Sequence, residues 1–124
     1  MKEKKEIRKC FDSFDNECIV VDNENYEDFI GLDIEFIHFI SGGAQGAAGD
    51  VTFWTSDGLA YMTNYVSDIE YENLVKVIPM LEKSYYGYFG GEEGDVVTGD
   101  WVFHYGCGPG YYLYVKKGLE EKYL

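Results

Sequence analysis

Residues 99–116 place the tightest constraint on how this chain can fold: two runs of alternating large side chains joined by a glycine-rich turn. Trp101, Phe103 and Tyr105 alternate with Val102 and His104 before the turn, and Tyr111, Leu113 and Val115 alternate with Tyr112 and Tyr114 after it. A period of two puts successive side chains on opposite faces of a strand. Gly106, Gly108 and Gly110 free the backbone, while Pro109 fixes its own φ and donates no hydrogen bond. The pattern predicts a hairpin with bulky groups on both faces. One face covers a core; the other must meet a helix, a partner or water.

The rest of the chain supplies further strands and fewer helices. Ile7, Cys10, Phe11 and Phe14 recur at helical spacing, which predicts an amphipathic helix over 4–14. Cys18 to Val21 is a short apolar run that reads as a buried strand, and Tyr26, Phe29 and Ile30 suggest a short helix ending near Gly31. Residues 34–40 fit either a helix or a strand, and their β-branched and aromatic content favours the strand. The runs 51–55 and 59–65 flank Ser56-Asp57-Gly58, a strong hairpin signal. Ser67 and Glu70 have capping-box spacing, and Tyr71, Leu74, Val75, Ile78, Leu81 and Tyr85 behind them predict a helix that Pro79 should kink or end. Residues 85–95 read as a loop or irregular strand, and 119–124 as a charged tail with one helical turn. This order predicts a single α+β domain over 1–124, a mostly antiparallel sheet with two or three helices packed on it.

Charge narrows the function. The 124 residues hold 10 basic and 23 acidic side chains, a formal net charge of −13. Five of the basic residues lie in the first nine positions, and none lies between Lys9 and Lys76. That gap contains Asp12, Asp15, Glu17, Asp22, Glu24, Glu27, Asp28, Asp33, Glu35, Asp50, Asp57, Asp68, Glu70 and Glu72. Such a field repels nucleic acid and anionic membranes and attracts basic proteins or metal ions. Solubility accounts for a net negative charge, but not for the lack of cations over half the chain. No apolar run is long enough to cross a bilayer, and the charged start does not read as a signal peptide, so a cytoplasmic location is expected. Three cysteines (Cys10, Cys18 and Cys107) without paired spacing predict no disulfide framework.

Chemical motifs are sparse. The loop Gly42-Gly-Ala-Gln-Gly-Ala-Ala-Gly49 lacks the Lys-Ser/Thr ending of a phosphate loop and leads into a strand, so it reads as a connector. His104 and Cys107 invite a thiol–imidazole reading, but residues three apart on a strand face opposite ways and few cations are near to activate the thiol. His104 and His38 both read as packed histidines. Two histidines and scattered cysteines give no zinc spacing, and the acidic runs 12–17 and 22–28 do not match a calcium loop. No cofactor or metal is expected. Paired acids beside aromatic platforms would suit glycoside hydrolysis, yet sequence alone brings no two of them together. Protein recognition remains: interface centres favour aromatic rings, and charged rims steer encounter. The residues expected to touch a partner are Asp57, Tyr61, Tyr65, Asp68, Glu70, Glu72, Tyr86, Tyr88, Glu92, Glu93 and Asp95.

In size, acidity and its Trp- and Tyr-rich hairpins, the chain resembles bacterial immunity proteins of polymorphic and contact-dependent toxin systems. The likeness is carried by residues 49–65, by the capped segment ending in Val77-Ile-Pro-Met-Leu81, and by residues 99–115. It brings no site residue of its own. It implies a non-enzymatic protein that neutralises a cognate toxin, often a basic nuclease, by covering its active site or substrate groove. Carboxylates in 12–33, 57–72 or 92–95 would then imitate substrate phosphates. The alternatives are a small enzyme or ligand-binding domain, and a nucleic-acid mimic that regulates a host enzyme.

Overall fold

The computed structural model describes residues 7–9, 17–41, 48–106 and 110–124, with side chains described from Cys18 onward. Eight strands form one sheet: β1 (Ile7–Lys9), β2 (Glu17–Val20), β3 (Ile34–Ile40), β4 (Asp50–Thr55), β5 (Ala60–Asn64), β6 (Val96–Thr98), β7 (Trp101–Tyr105) and β8 (Tyr111–Lys116). Their spatial order is β1-β2-β5-β4-β3-β8-β7-β6. The helical elements are α1 (Tyr71–Val77), α2 (Glu120–Tyr123), and short 3-10 segments at Tyr26–Phe29 and Pro79–Lys83. The α+β class is therefore what the chain adopts. The sheet, expected to be mostly antiparallel, is mixed: β2 pairs parallel with β5, and the other six strand pairings are antiparallel. The cause is topological. The β4–β5 hairpin folds back into the space between β3 and β2, which lays β5 alongside β2 in the same direction.

Register explains the core. On one face a continuous row crosses six strands, Ile19, Tyr61, Phe53, Ile37, Tyr114 and Phe103, each paired with the next. Phe29, Leu74, Val77, Ile78 and Leu81 from the helical elements close over this face. The opposite face carries Val20, Met62, Thr52, His38, Leu113 and His104 as one row. Beside it lies a second row, Ala60, Trp54, Phe36, Val115 and Val102, against which Leu119 and Tyr123 pack. A bulge in β3 sits between Ile34 and Phe36, so Ile34 and Ile37 share the helix-covered face while Phe36 joins the other. The bulge brings Glu35 to α2, where it accepts hydrogen bonds from Lys122 Nζ (2.8 Å) and Tyr123 Oη (2.7 Å). Tyr123 stacks on Phe36 at 5.0 Å.

Several expectations need correction. Residues 7–9 form an edge strand paired with β2, not part of a helix; the remainder of 4–14 lies outside the described residues. At Ile7 helical spacing gave way to a strand pairing ten or so residues away, which spacing cannot reveal. The capping box does not form. Asn64 Oδ1 accepts from the amides of Val66 and Ser67, and α1 starts only at Tyr71. The amide of Glu70 is satisfied instead by Asn23 Oδ1 at 3.0 Å, from 47 residues away. Pro79 ends α1 as expected: Ile78 before it takes ψ 82, outside the helical region. Cys18 is disulfide-bonded, against the expectation of no disulfide framework, so cysteine usage no longer supports a cytoplasmic location. Among the described residues, no helix is long and apolar enough to cross a membrane.

Candidate protein-binding surface

The rings sort into two groups. Tyr61, expected at a partner interface, is 3% exposed and stacks on Phe53 at 5.1 Å and edge-on to Phe29 at 5.5 Å. It is a core residue, because its position on β5 faces the helix-covered side. Trp54, Trp101 and Tyr114 are likewise buried. By contrast Tyr85, Tyr86, Tyr88 and Tyr105 are 77%, 46%, 49% and 56% exposed.

These exposed rings form one end of the helix-covered face. Tyr86 lies 4.6 Å from the Tyr71 ring and 5.9 Å from Tyr65, with Tyr85 edge-on to it at 5.2 Å. Tyr65 stacks on Phe39 at 5.5 Å, and Phe39 pairs across the strands with Tyr112. Tyr112 contacts Tyr88 at 5.7 Å and Phe103 at 5.9 Å, and Phe103 meets Tyr105 at 4.7 Å. Aromatic rings thus run from β5 to β7 along this face, with the buried Phe39 and Phe103 linking the exposed ones from beneath. Tyr65 and Tyr86, named from the sequence, meet within it, and Tyr88 joins through Tyr112. Sequence reasoning missed Tyr71, Tyr85, Tyr105 and Tyr112. The signal for Tyr85 was present in the Tyr-Tyr-Gly-Tyr run. Tyr105 was hidden by its alternation with core residues of β7.

Carboxylates flank Tyr65 and Tyr71 along the chain, and others are tied to β7 beside Tyr105. Asp68, Glu70 and Glu72 stand between and beside Tyr65 and Tyr71 in the chain, and Glu70 and Glu72 are exposed. The segment 92–95 is fixed to β7: the Gly94 amide donates to Phe103 O at 2.7 Å, and the Phe103 amide to Asp95 O at 2.8 Å. Asp95 Oδ2 accepts from the Glu92 amide at 3.0 Å. Asp57 does not belong here. It caps the β4–β5 turn at the opposite end of β5, accepting from Thr55 Oγ1 and the Leu59 amide, bonds that hold its carboxyl below the usual range.

Glu93 does more than border the patch. Its Oε1 accepts from the Tyr105 amide at 2.8 Å, and its Oε2 accepts from His104 Nδ1 at 2.5 Å. The amide and then the imidazole keep its carboxyl below the usual range, which leaves it ionised and makes Nδ1 the donor. His104 Nε2 is buried and has no hydrogen-bond partner among the described residues. A carboxylate-oriented imidazole is the arrangement of a general base. His38 lies in the same row of the sheet, with Leu113 between. Cys107 and most of the glycine loop lie outside the described residues, and no cluster of three metal-ligating side chains occurs among those described.

Comparison with protein-family models, with curated proteins and with solved structures finds no match to this chain.

Proposed function

We propose that this chain is a binding protein for a basic macromolecule, acting as bacterial immunity proteins do by covering the functional surface of a cognate toxin. One observation supports this most: Tyr85, Tyr86, Tyr88 and Tyr105 stand exposed at one end of the helix-covered face, with the Glu93 carboxylate held at the Tyr105 amide. Large rings exposed together are unusual on a surface that does not meet a partner, and they make rigid anchors with few torsions to freeze. The bordering acids guide approach and choose a positively charged partner. A basic nuclease fits, since its substrate groove presents the opposite charge.

The test is co-expression with a basic toxin encoded beside this chain. Co-purification and rescue of growth are the expected results; a toxin that stays active and unbound overturns the reading. With Nδ1 on Glu93 and Nε2 buried, His104 offers no open nitrogen to a substrate in this structure, and toxin neutralisation should survive His104→Gln.

A further inference from the structure

The turn 85–88 stands out within the tyrosine surface. Tyr85 and Tyr88 form a two-residue hairpin: the Tyr85 amide donates to Tyr88 O at 2.9 Å, and the Tyr88 amide to Tyr85 O at 3.0 Å. Its two central residues both have positive φ, +47 at Tyr86 and +87 at Gly87. Such a turn favours Asn-Gly, because a side chain at positive φ crowds its own carbonyl. Tyr86 is the one non-glycine residue with positive φ among those described. Its strain is held by the surroundings. The Gly87 amide donates to Ser84 Oγ at 3.0 Å, and the Tyr114 hydroxyl donates to Gly87 O from the core. An asparagine would relieve the strain, yet a tyrosine stands there, about half exposed. Strain retained at an exposed aromatic points to use of the ring.

We infer that the turn 85–88 is a preformed clamp for arginine side chains of the partner, with Tyr85, Tyr86 and Tyr88 receiving guanidinium planes on their faces. The inference deepens the binding reading and rests on it. The chain's charge of −13 selects a cationic occupant. Three exposed rings within four residues select a flat cation over a compact one, since guanidinium stacks on aromatic faces and sheds its water more readily than ammonium does. Because the hairpin is already closed, little ordering is left to oppose binding.

The probes are an oligo-arginine and an oligo-lysine peptide of equal length, titrated at low salt and followed by tyrosine fluorescence. The parent chain is expected to bind the arginine peptide about five- to tenfold more tightly, the size of one or two ring–cation contacts. Tyr86→Asn should abolish that preference while leaving the melting temperature at or above the parent's. Should the loss of the Tyr71 contact lower it, Tyr85→Ala removes a ring that is 77% exposed and reads the same preference without touching the fold. Equal binding of both peptides by the parent overturns the clamp, as does a preference that survives both substitutions. If neither peptide binds, the basic-partner reading falls with it; if both bind equally and weaken with salt, only the clamp falls.

Discussion

At Gly87 an added Cβ would lie 2.4 Å from the Phe39 ring, on a backbone already at φ +87. Gly31 and Gly58 have similar positive φ but open space around them. Three alanine substitutions therefore separate strain from collision. Gly31→Ala and Gly58→Ala should each lower stability by about 1 kcal/mol, and Gly87→Ala by about 2–4 kcal/mol, as read by chemical denaturation. A second pair of residues tests the sorting of the rings. Tyr61→Ala should cost about 3–5 kcal/mol, as a large core truncation does, with any binding defect explained by unfolding. Tyr85→Ala should leave stability within about 0.5 kcal/mol of the parent. Tyr61 lies in a strand run and Tyr86 in the Tyr-Tyr-Gly-Tyr run, but the burial of each was decided by which sheet face and which turn it came to occupy.

The short C-terminal helix α2 depends on a single strand irregularity. The β3 bulge brings Glu35 to Lys122 and Tyr123, and these two hydrogen bonds hold the Glu35 carboxyl below its usual range. A carboxylate whose folded pKa is depressed contributes stability above its unfolded value, about 4.3, and loses it as pH falls through the folded value. Glu35→Gln should thus lower stability by about 1 kcal/mol near neutral pH, with the difference shrinking below about pH 4. Thermal melts of both proteins across that range check it; a constant difference would mean that Glu35 acts through packing and not through its charge. The strands flanking this helix were legible from alternation and turn residues. The bulge was not, because it changes face parity without leaving a mark in the pattern of apolar residues.

Across the whole molecule, the net charge of −13 makes self-repulsion the dominant long-range term. The Lys122–Glu35 ion pair does little to offset it. Raising salt to about 0.5 M should therefore raise the melting temperature, since screening relieves repulsion over distances beyond a few ångströms. The same salt should slow association with a basic partner by about tenfold or more, measured by stopped flow. Replacing Glu92 and Asp95 with lysine should slow association further and flatten its salt dependence while leaving the core intact.

Local pattern determined most of the elements: the hairpins at 50–64 and 101–116, the strand at 34–40 and the break at Pro79 all follow from side-chain alternation and backbone restriction within a few residues. Composition determined the sign of the field. Tertiary structure alone decided the parallel pairing of β2 with β5, the edge strand at 7–9, the donation of the Glu70 amide to Asn23, and the gathering of Tyr65, Tyr71, Tyr86 and Tyr112 at one end of the sheet. The physical reason is range. Propensity and periodicity act between neighbours, whereas these features join segments dozens of residues apart, where the outcome depends on which surfaces remain to be buried once the local elements have formed.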